Sequence, residues 1–374
     1  MTGSLDVWRR GKRPDVRMDA VAKVPSSPGY VSGPVETPGR SLRREPVGGL
    51  YLYAGVLIYS AWPLGGLPAA KAAVSDERTI AIGRLDVPPW EPCSNWVHHW
   101  PPEQGGMSLA VSNDGHSFLL RFPGLADFVI SADGRQIDAW SDPTIGAGTL
   151  DHLLLDQVLP RTLAQQGRLV LHAGAVRIDD QAVAFIGDTG SGKSTLTASF
   201  HSAGYPLLSD DGLVLKTEEG LVRALPTYPS LRLWPESVSG LYAQQPTIAP
   251  MAHYTAKQRV ILNGVAVAAN NPLPLASLYV LAPEVKAVTA SVSLTLLRPC
   301  EACIAIIRNS FQLDLTDRCR VAELFADASR IANSLPVFSL RYPREFARLP
   351  EVRDAILNSL VNEPIGNKDS KLTQ

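Results

Sequence analysis

The stretch from Leu169 to Leu215, LVLHAGAVRIDDQAVAFIGDTGSGKSTLTASFHSAGYPLLSDDGLVL, decides the fold class. Residues Leu169 to Ile178 and Ala182 to Ile186 are apolar runs joined at Asp179-Asp180, which predicts two strands and a tight turn. The second strand runs into Gly187-Asp188-Thr189-Gly190-Ser191-Gly192-Lys193-Ser194, a complete G-x4-G-K-S pattern. Residues Ser194 to Ala203 follow as a helix of roughly 15 Å, with Gly204 placed to end it. A chain of this composition contains the pattern by chance about once in a hundred times, before a strand ahead and a helix behind are required. A glycine turn that binds nothing is the alternative, and both flanks argue against it.

The residue types suit polyphosphate. Glycines let successive backbone N–H groups turn toward phosphate oxygens, Lys193 supplies a mobile positive charge, and the Ser194 hydroxyl is a Mg²⁺ ligand. The expected nucleotide-contacting residues are Gly187, Asp188, Thr189, Gly190, Ser191, Gly192, Lys193, Ser194 and Thr195, with ATP and Mg²⁺ as the cofactors.

Residues Tyr205 to Ser209 read as a strand returning parallel to the one before the loop and finishing level with it. At that edge stands Asp210-Asp211-Gly212, where a nucleotide-binding α/β fold places its metal ligand. Adjacent side chains in a strand point oppositely, so the two carboxylates are expected to differ in role, and a solvated acidic turn is the alternative. His172 lies on the strand before the loop, where a lone His is either a core residue or part of the site. Of Arg232, Lys257 and Arg259, at least one is expected to face the transferring phosphoryl group, with Lys257 and Arg259 favoured beside the apolar run from Val260 to Leu262.

With its His-Ala-Gly strand, its Gly-Asp-Thr-Gly-Ser-Gly-Lys-Ser loop and its Leu-Leu-Ser-Asp-Asp ending, this stretch resembles the catalytic core of the HPr kinase/phosphorylase family. From about Leu50 to Leu360 the chain resembles the divergent HPr-kinase-related branch, which includes kinases associated with lasso-peptide biosynthesis. The resemblance implies an α/β fold with a P-loop kinase core of HPr-kinase type, a mixed sheet with helices, plus an N-terminal β-rich domain. It further implies that Lys193 and Ser194 hold nucleotide and Mg²⁺, that Asp210 is the general base, that Asp211 ligates Mg²⁺ and that His172 supports Asp210. Two departures stand against phosphorylase chemistry and HPr as substrate. Thr195 follows the loop serine where the bifunctional enzymes carry Glu, and no Arg-Gly-Leu-Gly-like signature follows downstream.

Outward from this core, residues 1–45 hold nine Lys/Arg, five Asp/Glu and five Pro without apolar periodicity, and are expected to be a disordered basic tail. Residues 46–150 are expected to form the β-rich domain of short antiparallel strands, 151–362 the kinase domain and 363–374 a polar tail. The uncharged segment from Pro46 to Ala70 carries five Gly and three Pro, which favours buried strands over a membrane span. Residues Asp151 to Gln165 have helical spacing, with Pro160 expected to kink or split the helix. The group Trp90, Trp96, His98, His99 and Trp100 reads as packing before ligand binding. Cys300-x-x-Cys303 lacks a second pair, so it reads as two thiols one helical turn apart. Asn367-Lys368-Asp369 lacks the spacer of a guanine-specificity motif.

Lys and Arg number 35 against 36 Asp and Glu, so no global field recruits nucleic acid or a membrane surface. Four cysteines in 374 residues fit a reducing compartment, and a cytoplasmic location is expected. Three functions remain open: a kinase acting on a hydroxyl of a peptide or protein, in particular serine; a small-molecule hydroxyl kinase; and a non-catalytic nucleotide-binding adaptor. Self-association into a homo-oligomer is open as well.

Overall fold

The computed structural model describes residues 48–70, 79–91, 96–100, 106–112, 115–228, 230–244, 246–252, 254–262, 271–283 and 291–362. The expected terminal tails, Cys93, the turn at Asn113-Asp114 and Asn367-Lys368-Asp369 lie outside the described residues. Two large sheets and one small one, with helices between and outside them, make a mixed α/β architecture.

The first sheet is built from β1 (Gly49–Tyr53), β2 (Val56–Ser60), β3 (Thr79–Arg84), β4 (Trp96–His99), β5 (Ser108–Val111), β6 (Ser117–Phe122), β7 (Ala126–Ser131) and β8 (Gln136–Ser141), in the order β1-β2-β3-β8-β7-β6-β5-β4. Ala54 and Gly55 both take positive φ (50° and 73°), as a two-residue hairpin turn requires, and Tyr53 pairs with Val56 across it. The uncharged segment is therefore strand rather than span. No helix of the described residues is long and apolar enough to cross a membrane. The expectation of antiparallel strands fails at β3, which runs parallel to both β2 and β8. Short local turns cannot make such pairings, so spacing alone did not announce them.

One face of this sheet is covered by a helical run, α1 (Ala147–Leu153), a π-helical turn (Leu154–Val158) and α2 (Leu159–Gln165). Pro160 does not interrupt the helical run, in which it stands at the second position of α2. Instead Leu159 N–H reaches back five residues to Leu154 O, and the widened turn absorbs the missing proline donor. Leu150, Leu154, Val158 and Leu159 from this run pack with Ile58, Leu120, Phe122 and Phe128 of the sheet. Each such side chain contributes about 1.5–3 kcal/mol by burial. In the aromatic group near β4, Arg161 lies over the Trp100 ring at 5.2 Å and His98 meets the same ring edge-on, while Trp90 is exposed.

The second sheet combines β9 (Leu169–Leu171), β10 (Ala173–Ile178), β11 (Gln181–Ile186), β12 (Leu207–Ser209), β13 (Leu213–Glu218), β14 (Leu221–Leu225), β18 (Leu273–Leu281), β19 (Ser293–Leu296) and β20 (Val337–Arg341). The expected single strand from Leu169 to Ile178 is two strands. The chain changes partner at His172, β9 pairing with β13 while β10 pairs with β11 and β12. Strands β11, β18 and β20 lie parallel and adjacent, so their C-terminal ends share one edge. β12 runs in the direction of β11, with β10 between them.

Alternation on β11 sorts its side chains cleanly. Val183 and Phe185 face α3 (Lys193–Ser202) and α7 (Leu349–Asn362), whereas Ala182, Ala184 and Ile186 face α5 (Pro299–Arg308) and α6 (Arg318–Ser334). Cys300 is exposed and Cys303 buried on α5. The small sheet, β15 (Ser230–Leu233), β17 (Gln258–Ile261) and β16 (Ile248–Pro250), packs Leu231, Leu233 and Val260 against Ala198 and Leu207, with α4 (Pro235–Leu241) beside it.

Candidate functional site

The loop after β11 opens with Gly187 and turns at Gly190 and Gly192, whose φ values are 79° and 94°. Gly192 caps α3, so the helix N-terminus opens directly onto the loop. The Lys193 side chain is buried and folds back across it, its Nζ donating to Gly187 O at 2.8 Å and to Asp188 O at 3.2 Å. Burial lowers the lysine's pKa, opposed by the charges of Asp211 and Asp210. The buried Ser191 Oγ has no hydrogen-bond partner among the described residues. Ser194 is half-buried in the first turn of α3, and Thr195 is turned away, its hydroxyl 3.1 Å from Ser237 Oγ.

The paired carboxylates leave the end of β12 on a braced turn. Thr227 Oγ1 lies 2.7 Å from Ser209 Oγ and donates to Gly212 O at 2.9 Å. Asp211 takes a left-handed φ of 67°, so the two side chains diverge because of the turn rather than by strand alternation. Asp210 is almost fully buried. Its Oδ2 accepts from Arg232 N at 3.0 Å, and its Oδ1 has no partner among the described residues. Burial, then the charge of Asp211, push the Asp210 carboxyl up to about 7.

Asp211 is held differently. Its Oδ1 lies 3.2 Å from His172 Nε2 and its Oδ2 accepts from Arg232 Nη1 at 2.7 Å. Burial favours protonation, but the His172 hydrogen bond and the charges of Arg232 and Lys257 overcome it and hold this carboxyl well below the usual range. His172 thus supports Asp211, not Asp210 as the family resemblance implied. The break between β9 and β10 directs the ring there, and Phe311 packs 5.9 Å from it. Burial and the Lys193 charge lower the pKa of His172, opposed by its contact with Asp211.

Of the three basic candidates, Arg232 is inside but already committed. Its guanidinium pairs with Asp156 of the π-helical turn as well as with Asp211, over the Tyr228 ring at 4.9 Å. Asp156 in turn meets His152 and the Tyr228 hydroxyl. Arg259 turns away, donating to Gly65 O. Lys257 is half-buried beside Trp234 (5.9 Å), close enough for its charge to act on Asp210, Asp211, His172 and Lys193.

Three contributors went unnoticed in the sequence. Asn309, at the end of α5, accepts from Gly187 N through Oδ1 at 2.9 Å and from His172 N through its carbonyl at 2.7 Å. Its only local signal is an Asn where a helix stops. The only local signal of Asp156 is an acid between Leu155 and Val158 of an apolar helical run. Arg344 follows β20, and a side-chain carbon built on Gly192 would lie 3.1 Å from its Nη1. Among the described residues no cluster of three or more His, Cys, Asp or Glu forms a metal site on its own.

No family model matches this sequence, and no curated protein matches it. Among solved structures, the chain is similar to the Hpr(Ser) kinase/phosphatase from Coxiella burnetii at 13% identity and a TM-score of 0.27, covering 52% of this chain and 99% of that one. A likeness at this level establishes neither fold nor activity.

Proposed function

We infer that the protein is an ATP-dependent kinase that transfers a phosphoryl group to a hydroxyl, in particular a serine, of a peptide or protein. The observation that carries this reading is the pairing of Asp210, a buried carboxyl with one unpartnered oxygen and a pKa near neutrality, with the lysine-bearing glycine loop two strands away. A solvated acidic turn would be exposed and ordinary. A base held close to the working pH is what proton abstraction from a hydroxyl needs.

The buried Ser191 Oγ and the open N-terminus of α3 fit polyphosphate, with Lys193 able to exchange its two carbonyl partners for phosphate oxygens. Mg²⁺ would be held by Ser194 and by Asp211, whose oxygens keep lone pairs beyond the bonds from His172 and Arg232. When bound, it supplies neutralisation of phosphate charge. Asp210 Oδ1 takes the acceptor's proton as the acceptor oxygen bonds to the γ-phosphorus, and the bond from that phosphorus to the bridging oxygen breaks, leaving ADP. Lys257 neutralises the group in transit. The antiparallel sheet of β15, β17 and β16 beside Asp210, with exposed Trp234 at its end, suits an extended peptide better than a small metabolite. Thr195, aimed at Ser237, leaves phosphorolysis without the acid that the bifunctional enzymes carry there.

The test is incubation with γ-labelled ATP and two acceptor sets, peptides encoded by neighbouring genes and free hydroxy compounds, with Lys193→Ala as control. Label transfer to a peptide that is lost in the control supports the reading. Transfer only to free compounds reassigns the acceptor, and no transfer alongside intact ATP binding makes the chain an adaptor.

A further inference from the structure

Arg344 lies on the opposite side of the loop from the Asp210–Asp211 edge, and no motif points to it. It follows β20, the third of three adjacent parallel strands whose C-terminal ends share an edge. Ligands of such sheets bind outside those ends. Strand β11 contributes the loop to this edge and β20 contributes Tyr342, Pro343 and Arg344.

The side chain is held in place without being neutralised. Its Nη2 donates to Ala282 O, just beyond β18, at 2.9 Å, and its guanidinium lies 5.7 Å from the centre of the buried Tyr342 ring. Among the described residues no carboxylate lies within ion-pair distance of it, whereas Arg121, Arg177, Arg232 and Arg320 each have one. Its other terminal nitrogen, Nη1, lies so close to Gly192 that a side chain there would meet it at 3.1 Å. Gly192 is the cap of α3, and the loop behind it contains the unpartnered, buried Ser191 Oγ. A half-buried guanidinium with a carbonyl and an aromatic ring as its supports, and no counter-anion among the described residues, is a cation placed to meet an anionic ligand.

We propose that Arg344 is a second phosphate-binding cation of the nucleotide site, contacting the polyphosphate from the β20 side while Lys193 holds it from within the loop. This rests on the phosphoryl-transfer reading above. It also gives Gly192 a second reason to lack a side chain: besides its φ of 94°, any side chain would separate the guanidinium from the helix N-terminus.

The test uses the full chain and calorimetric titration with Mg-ATP and, separately, inorganic tripolyphosphate, which has the charge and no base. Arg344→Gln removes the charge and the fork, Arg344→Lys keeps the charge without the fork, and thermal melting checks that both fold. Arg344→Gln is expected to weaken both ligands about tenfold or more and to flatten the salt dependence of binding, with Arg344→Lys intermediate. Unchanged affinity for both ligands, with Lys193→Ala abolishing binding, overturns the proposal and leaves the phosphate loop standing. Weakened ATP with unchanged tripolyphosphate overturns it too, since the contact would then be to the base. Unchanged ATP affinity in a folded Lys193→Ala removes the underlying nucleotide site itself.

Discussion

Asp210, the proposed base, is also a stability cost. Its folded-state pKa of about 7 lies above the ordinary 3.8, so between these values the folded chain holds a proton that the unfolded chain releases. The stability linked to that proton is fully present below about pH 4 and is lost as the pH rises to 7 and beyond. Asn at this position keeps an acceptor for Arg232 N and has no charge to bury. In nucleotide-free, metal-free protein, Asp210→Asn is therefore expected to melt higher than the parent, by a margin that grows from pH 5 to pH 8 and corresponds to about 2–4 kcal/mol at the upper end. Its phosphoryl transfer should fall by about 10² to 10⁴ while Mg-ATP binding persists. A melting difference that does not change with pH would mean that Asp210 is ionised throughout. Asp211→Asn should behave otherwise. It weakens the partners of His172 and Arg232 together, and both stability and the Mg²⁺ dependence of nucleotide binding should drop.

Elements meet at this site through single atoms, and two of those contacts are testable. Gly174 on β10 lies under α3, where a side-chain carbon would collide with the Thr197 hydroxyl. Gly174→Ala is expected to cost about 1–3 kcal/mol, measured by urea unfolding, and Thr197→Ala in the same chain should return much of it. Simple additivity of the two changes would show that β10 and α3 are not in contact there. The second contact is the end of α5. Asn309→Ala leaves Gly187 N–H without its side-chain acceptor, so a loss of about 1–3 kcal/mol in stability and a weaker grip on Mg-ATP are expected together. Asn309→Asp preserves the acceptor yet places a negative charge beside the loop, so it should weaken ATP more than it destabilises the fold. Equal affinities in both variants would remove Asn309 from the site.

Across the whole molecule the first sheet depends on residues that come after it in the chain. Its buried face is completed by Leu150, Leu154, Leu155, Val158 and Leu159 and, further along, by Val214 and Leu225. A fragment of residues 46–146 should lack a cooperative melting transition and gain ellipticity in the near ultraviolet only when residues 147–166 are restored. Independent two-state unfolding of the shorter piece would make it a domain in its own right. Removal of residues 1–45, by contrast, should leave melting temperature and Mg-ATP affinity unchanged, because residues from Pro46 on form one compact unit. An insoluble truncation, or one that no longer binds Mg-ATP, would show the tail to be part of the folded protein.

The glycine loop, the helix behind it, the strand before it and the acidic pair at Asp210-Asp211 were all legible in the sequence. Each depends on contacts between near neighbours: glycines at turns, apolar alternation along a strand, a helix read from Ser194 and found from Lys193. What each carboxylate does was not legible. His172 and Asp211 are 39 residues apart, Arg232 and Asp156 are 76, and Gly187 and Asn309 are 122. Nothing local selects such partners. They arise from the exchange of pairing at His172, from the parallel placement of β18 and β20, and from a π-helical turn that aims Asp156 inward. The sequence alone therefore determined where phosphate chemistry is to be sought, because that depends on local backbone conformation. Tertiary structure decided which acid is buried with one oxygen unpartnered among the described residues and which is held by His172 and Arg232, because desolvation and charge pairing arise only where distant segments close around a group.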